Sequence, residues 1–361
     1  MFEIDKKRYS MLLYIHIPYC DSKCHYCSFN SYVGKFETKS EYMQALSRQL
    51  EFELERFDAK AGDIESVFVG GGTPSTVDAD MYAATFDLIA PYLQDNAEIT
   101  TEANPNSASA KWLSGMRELG VNRVSFGVQS FDDGKLKALN RAHNSTQAKE
   151  AIINADKLGF EHISLDLIYN FQGDSKELLK SDIDQAFELP IDHLSAYELT
   201  IEQNTPFYAT PQAKQDDEEL AFWVAEEITH RGFEHYEISN FGKYQSRHNR
   251  GYWMLKDYIG IGAGAVGFRQ NERYYPQTNI EAFIQDPLKV SVEHLSSNEI
   301  LTEKIFLGLR SNIGIQQDIL NNDMQQRAKI AVNEDKLTYR DGYFYNKNYF
   351  ISDEIALYLL G

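Results

Sequence analysis

Positive charge is scarce in this sequence. Its 35 lysines and arginines face 54 aspartates and glutamates, a formal net charge of −19 at pH 7. That balance excludes an extended nucleic-acid surface, which needs a basic stripe against the phosphates. Acidity of this kind is most simply a solvated exterior. Long apolar runs are missing as well. Residues 11–17 are largely apolar but give way at once to Pro18, far short of the roughly 20 residues that span a bilayer. No basic start leads into an apolar stretch of signal-peptide length. A cytoplasmic protein is expected, with membrane contact at most peripheral. Cysteine is rare too: only Cys20, Cys24 and Cys27 occur. An odd number so closely spaced is poor material for a disulfide framework. Clustered thiols in a reducing compartment point instead to metal or redox chemistry.

What is present suffices for a large packed core, with 43% hydrophobic and 13% aromatic residues. β-rich runs at 12–17, 66–70, 98–103, 123–128, 162–169 and 193–199 alternate with helical stretches at 41–57, 80–93, 109–119, 146–158 and 175–188. Such alternation predicts parallel strands joined by crossover helices, and six units make an open, partial barrel in place of the closed eight-strand form. Polar residues and glycines recur where these strands end, and in parallel α/β folds sites are built at that edge. A further helix is expected from Asp216 to near Gly232, then a segment dense in glycine and aromatics over 236–268. Beyond about Ser297 the pattern predicts a small winged-helix-like α+β module. Its helices are read at 299–309, 316–321 and 352–360, with a hairpin at 336–346 turning on Asp341-Gly342. The expected division is a barrel over 1–240, a connecting segment over 241–296 and the small module over 297–361. The module lacks a basic recognition helix, so scaffolding or lid duty is expected of it instead of DNA binding.

Cys20-Asp-Ser-Lys-Cys24-His-Tyr-Cys27 spaces its thiols C-x3-C-x2-C. Thiolates suit a [4Fe-4S] cluster, and three ligands for four irons leave one iron open to a chelating molecule. Two alternatives stay open on spacing alone: a zinc site completed by His16 or His25, and a redox-active pair of Cys24 and Cys27.

The chain resembles the oxygen-independent coproporphyrinogen III oxidase-like family of radical-SAM proteins, and more closely its haem-chaperone branch. The likeness runs from Tyr14-Ile-His-Ile-Pro-Tyr-Cys20 to Tyr258-Ile-Gly-Ile-Gly-Ala-Gly264, with a weaker echo in Glu303-Lys-Ile-Phe-Leu-Gly-Leu-Arg310. It implies that the open iron chelates S-adenosylmethionine, whose C–S bond is split by an electron from the reduced cluster. It further implies that Tyr14 and Tyr26 line the cofactor pocket and that Gly71, Gly72 and Thr73, in Gly70-Gly-Gly-Thr-Pro74, receive the methionine moiety. Missing side chains there would let a ligand approach backbone N–H groups. Glu102, Gln129, Arg141 and Asp166 match further cofactor-contacting positions, and Thr200 and Val266 align with two more by local context. Arginine pairs with carboxylates and an acid accepts from ribose hydroxyls.

Two departures separate the branches. Phe29 stands where the oxidases carry a fourth cysteine, and Tyr14 lies almost at the start of the chain, without the oxidases' longer N-terminal extension. His248-Asn-Arg-Gly-Tyr-Trp253 is similar to the haem-binding motif of the chaperone branch. The resemblance makes His248 the haem ligand, Tyr252 and Trp253 flat apolar surface, and Arg247 and Arg250 propionate partners. The expected function is a haem chaperone holding a [4Fe-4S] cluster, S-adenosylmethionine and haem, with apo-haemoproteins such as respiratory enzymes as recipients. An electron donor is its further partner and a homodimer is compatible with it. The alternative is an oxygen-independent coproporphyrinogen III oxidase, which decarboxylates two propionates. No residue is assigned a catalytic role.

Overall fold

The computed structural model describes residues 10–361. One sheet of 12 strands forms its centre. Six strands lie side by side in chain order, all parallel: β1 (Met11–Ile17), β2 (Ile64–Gly71), β3 (Leu93–Ala103), β4 (Arg123–Gln129), β5 (His162–Tyr169) and β6 (His193–Glu198). Each alternates. Met11, Leu13, Ile15 and Ile17 enter the core shared with the outer helices, so Leu12, Tyr14 and His16 project to the barrel-lining face. The connecting helices begin where short polar side chains take up free N–H groups: Ser109 before Ala110–Glu118, Asn144 before Ser145–Lys157 and Ser175 before Lys176–Phe187. This is the α/β partial barrel expected from the sequence.

Two elements differ from expectation. The helical stretch read over 80–93 is α-helical only at Ala83–Ile89, with 3₁₀ turns at Ala79–Tyr82 and Ala90–Tyr92 on either side, and β3 already begins at Leu93. Pro91 has no N–H for a continuing helix, and Leu93 instead pairs with Ile64 of β2. The stretch 316–321 is not a helix. It holds a two-residue strand and a single 3₁₀ turn, and the helix lies just beyond, at Asn322–Asn333. Asn321 accepts from the Met324 N–H, so it starts a helix where the sequence pattern had ended one.

The sheet continues past the barrel on both sides. β7 (Glu234–Glu237) and β8 (Asn240–Gly242) form an antiparallel pair beside β6. On the other edge β9 (Tyr258–Ile261) runs parallel to β1, followed by the antiparallel meander β10 (Gly267–Arg269), β11 (Glu272–Pro276) and β12 (Val290–His294). Between them the helix Arg247–Trp253 packs where β1 and β2 begin; a Cβ on its Gly251 would meet the Leu12 side chain at 2.7 Å.

Residues from Ser297 onward build a small α+β module. Helices Ser297–Leu309, Asn322–Asn333 and Ser352–Leu360 surround a three-stranded sheet whose hairpin turns at Asp341-Gly342, both with positive φ. Its core is separate, formed by Ile305, Leu309, Ile315, Leu337, Phe344 and Ile355 among others. It docks on β7 through an Arg310–Glu237 ion pair of 3.0 Å and on the helix Arg247–Trp253 through Arg250 to Asn312, 2.7 Å.

Candidate cofactor site

The cysteine loop leaves β1 at Pro18 and is closed by a short parallel pairing of Tyr19–Cys20 with Tyr32–Val33. All three thiols are free, Cys20 buried and the other two half-buried. Thr73 Oγ1 donates to Cys20 Sγ at 3.4 Å, and Arg141 Nη1 donates to Cys24 Sγ at 3.1 Å. Burial pushes the Cys20 and Cys27 thiols up; Cys24 raises both further, and Cys27 raises Cys20. A bound cation reverses that penalty, because it stabilises thiolate directly. The zinc alternative loses His16 as its fourth ligand here. His16 uses both ring nitrogens, Nε2 donating to the Asn30 carbonyl and Nδ1 accepting from Tyr14 OH, each at 2.9 Å. His25 is turned to the Ala138 carbonyl at 3.1 Å and edge-on to Phe207. Among the described residues, no group of three or more His, Cys, Asp or Glu is arranged to hold one metal ion. Three thiols without histidine help are the donor set of a cubane cluster with one iron left over.

The glycine turn is shaped by β1. Gly71 has φ +112°, and a Cβ on it would fall within the His16 ring; a Cβ on Gly72 would lie 2.8 Å from Ile17 O, Pro18 C and Tyr19 O. The N–H groups of this turn are all committed within the protein: Gly71 to Glu102 Oε2 at 3.0 Å, Gly72 to Ile17 O at 2.8 Å and Thr73 to Tyr19 O at 2.7 Å. Close packing against β1 and His16 therefore requires these glycines, and the expected free N–H groups facing a ligand are absent here.

Above the barrel mouth the polar residues converge. Arg141, 117 residues from Cys24, joins the cysteine loop to the strands: besides Cys24 it reaches Tyr26 OH at 3.4 Å, Asn104 Oδ1 at 2.6 Å and the Gly127 carbonyl. Asn104 passes the contact on to Thr73 Oγ1 at 3.1 Å. Gln129 ends β4 in the left-handed region, φ 73°, and its buried Oε1 has no partner. Glu102 and Asp166 face the same interior. Burial lifts Glu102 to about 7, the Gly71 N–H pulling it back and Asp166 pushing it up. Burial lifts Asp166 to about 6, against Ser195, Arg123 and Arg141. An orphaned acceptor and two strained acids are what a ligand with hydroxyl and cationic groups relieves, so these residues fit S-adenosylmethionine.

The two acids also predict a stability slope. Their native values lie above the ordinary ones, so between about pH 4 and 7 the folded chain binds more protons than the unfolded one, and their contribution falls as pH rises. Ligand-free Glu102→Gln should therefore lose less melting temperature than wild type between pH 5 and 8. Parallel melting curves would show that Glu102 ionises freely.

Of the remaining expected residues, Thr200 is exposed just past β6 and Val266 is half-buried in the loop after β9, its carbonyl packed on Gly260. Asn30 ties that loop to the cysteine loop, Nδ2 donating to the Ala263 carbonyl at 2.8 Å. His248 is brought to none of these. It is wholly buried where the strands begin, Nδ1 bonded to Ser66 Oγ at 2.9 Å, against Phe68 and Tyr252, with Nε2 unpartnered. Burial holds its imidazole down at about 3. Glu98 fixes the start of its helix, accepting from Tyr244 OH at 2.7 Å and the N–H groups of Arg247 at 2.8 Å and His248 at 3.0 Å. Arg247 and Arg250 are spent on Asn96 O and Asn312. Sequence reasoning missed Glu98, Asn104, Arg123 and the His16–Asn30 link. The signal for Glu98 and Arg123 was there: a charge on the inward-facing alternation of a strand, four residues before Glu102 and six before Gln129.

Comparison with known proteins agrees with the fold. Residues 14–186 match the family model described as the radical SAM superfamily. The haem chaperone HemW of Bacillus subtilis is 35% identical, with 84% of each chain covered. HemW of Escherichia coli is 41% identical over 71% of this chain and 69% of that one, and HemW of Mycobacterium tuberculosis is 32% identical over 91% and 88%. Among solved structures, coproporphyrinogen III oxidase (HemN) from Escherichia coli superposes with a TM-score of 0.80, covering 98% of this chain and 91% of that chain at 18% identity. That likeness is one of fold.

Proposed function

Since this chain belongs to the HemW family of radical SAM proteins, we propose that it is a haem chaperone, binding haem and delivering it to apo-haemoproteins such as respiratory enzymes. The observation that carries the cofactor half of the reading is the convergence of Cys20, Cys24 and Cys27 with Arg141, next to the unpartnered Gln129 and the strained Glu102–Asp166 pair. Cys20, Cys24 and Cys27 would hold a [4Fe-4S] cluster. Glu102, Gln129, Arg141 and Asp166 would hold S-adenosylmethionine, with Tyr14, Tyr26 and Thr73 around it. The cluster, when bound, supplies a low-potential electron and one open iron. The chain's own residues orient the sulfonium molecule and shield it, and an electron-donor protein would reduce the cluster.

His248 is the proposed haem ligand. Its Nε2 is the atom without a partner, and a neutral imidazole is the ligating form. Because the ring is sealed in this conformation, loading requires the helix Arg247–Trp253 to move off Ser66 and Glu98. We place the protein in the cytoplasm as a homodimer, with membrane contact no more than peripheral; among the described residues no helix is long and apolar enough to cross a membrane. Haem titration tests the reading. Wild type should develop a ligated haem spectrum that His248→Ala lacks, and an unchanged spectrum removes His248 from the role. Anaerobic turnover with coproporphyrinogen III should yield no protoporphyrinogen; robust product would replace the chaperone by the oxidase.

A further inference from the structure

The helix Arg247–Trp253 is closed over His248 by ties at two levels. Its start is fixed from inside the barrel, where the Glu98 carboxylate accepts from the N–H groups of Arg247 and His248 and Ser66 holds the imidazole. About one turn further along, the tie comes from outside the barrel. Arg250 Nη1 donates to Gln245 Oε1 and, at 2.7 Å, to Oδ1 of Asn312, a residue of the C-terminal module. Asn312 Nδ2 closes the triangle by donating to the same Gln245 oxygen at 3.2 Å. The backbone here has little freedom. The Asn312 N–H donates to the Tyr236 carbonyl at 2.9 Å, the preceding Ser311 bridges to Glu237 on β7, and Arg310 carries the 3.0 Å ion pair to Glu237. The module thus presents the Asn312 amide to the helix from a firmly docked segment.

Two features make this contact releasable. The Arg250 guanidinium bonds to neutral partners, since both oxygens it reaches belong to amides, in a chain where acidic residues outnumber lysines and arginines 54 to 35. A guanidinium binds a carboxylate more strongly than an amide oxygen, often through two parallel bonds, so the contact yields to a competing carboxylate. Arg250 also shares its short helix with His248, two residues away. The helix moves as one piece, and lifting His248 off Ser66 draws Arg250 away from Asn312. Resting on the reading of His248 as haem ligand, we propose that Asn312 is a positioning residue for haem loading. It holds the helix shut through Arg250. Incoming haem displaces it, and the freed guanidinium pairs with a propionate. The C-terminal module then serves as the catch of a lid.

Stopped-flow mixing of ferric haem with the full chain reads the catch. A closed helix lowers the observed affinity by the fraction of time it is open. Asn312→Ala removes an acceptor from the closed state alone, so the association rate should rise about tenfold while the dissociation rate stays unchanged. Asn312→Asp gives Arg250 a charged partner and should slow association several-fold, again with dissociation unchanged. That opposite sign is what a merely structural residue would not produce, and the aspartate variant decides the matter if Asn312→Ala does not fold. Amide hydrogen exchange over residues 247–253 of the haem-free protein should follow the same order, fastest with alanine and slowest with aspartate. Association rates alike in all three proteins, or displaced in one direction by both variants, overturn the proposal. Exchange that follows the order while loading does not also overturns it, because the helix then opens without admitting haem; the His248 reading survives that result. If wild type develops no ligated spectrum that His248→Ala lacks, the haem reading itself fails and the catch with it.

Discussion

Replacing any one of Cys20, Cys24 or Cys27 by alanine should abolish the cluster. Iron and sulfide after anaerobic reconstitution should fall from roughly four each per chain to near zero, with loss of the broad brown absorption. The expectation is this sharp because no further thiol is at hand: the sequence holds no other cysteine, and His16 has both ring nitrogens engaged. Cys24→Ala has a second consequence. Arg141 Nη1 loses its sulfur acceptor while Nη2 keeps Asn104 Oδ1 and the Gly127 carbonyl as acceptors, so the fold should survive with the barrel-side contacts intact. Circular dichroism near that of wild type, with iron gone, is the expected pair of results. Iron retained in any single variant would refute the three-thiol cluster, and stoichiometric zinc in its place would revive the single-ion alternative.

Gly71→Ala should be the most damaging conservative substitution at the site. At φ +112° an L side chain is strained, and the new methyl would occupy the space of the His16 ring. Together these cost about 2–5 kcal/mol, a large part of the stability of an ordinary domain. His16 cannot step aside, because Tyr14 and Asn30 hold its two nitrogens, and Asn30 in turn anchors Ala263 and Thr278. Displacing it would disturb β1, the cysteine loop and the loop after β9 together. The measurement is a melting curve: Gly71→Ala should lower the midpoint by several degrees or more, whereas Gly34→Ala, at the milder φ of +74° and with nothing within 4 Å of its new Cβ, should show only the smaller cost of the backbone conformation. Equal effects at the two positions would mean that the His16 contact is unimportant.

The six barrel strands, most of their helices, the C-terminal hairpin and the final helix were readable along the chain, because alternation and capping are local signals. The helix Asn322–Asn333 was not. Its apolar face is thin, and what fixes its start is one side-chain hydrogen bond from Met324 to Asn321. The glycine turn shows a subtler limit. Its glycines were singled out for N–H groups facing a ligand, whereas the structure gives those N–H groups to Glu102, Ile17 and Tyr19. A glycine is marked in the sequence by what it lacks, and only the packed neighbour says why.

By itself the sequence determined that three thiols stand together, since so short a spacing leaves them no way to be far apart, and that the strand ends carry acids, amides and glycines in series. Only the tertiary structure decided which of them share a site. It brought Arg141 onto Cys24 across 117 residues, sealed Glu102 and Asp166 in one interior, and put His248 at the far end of the same barrel, out of reach of solvent. The reason is physical: spacing along a chain is set by covalent bonds, but burial, and the ionisation and access that follow from it, belong to whatever distant segments pack around a group.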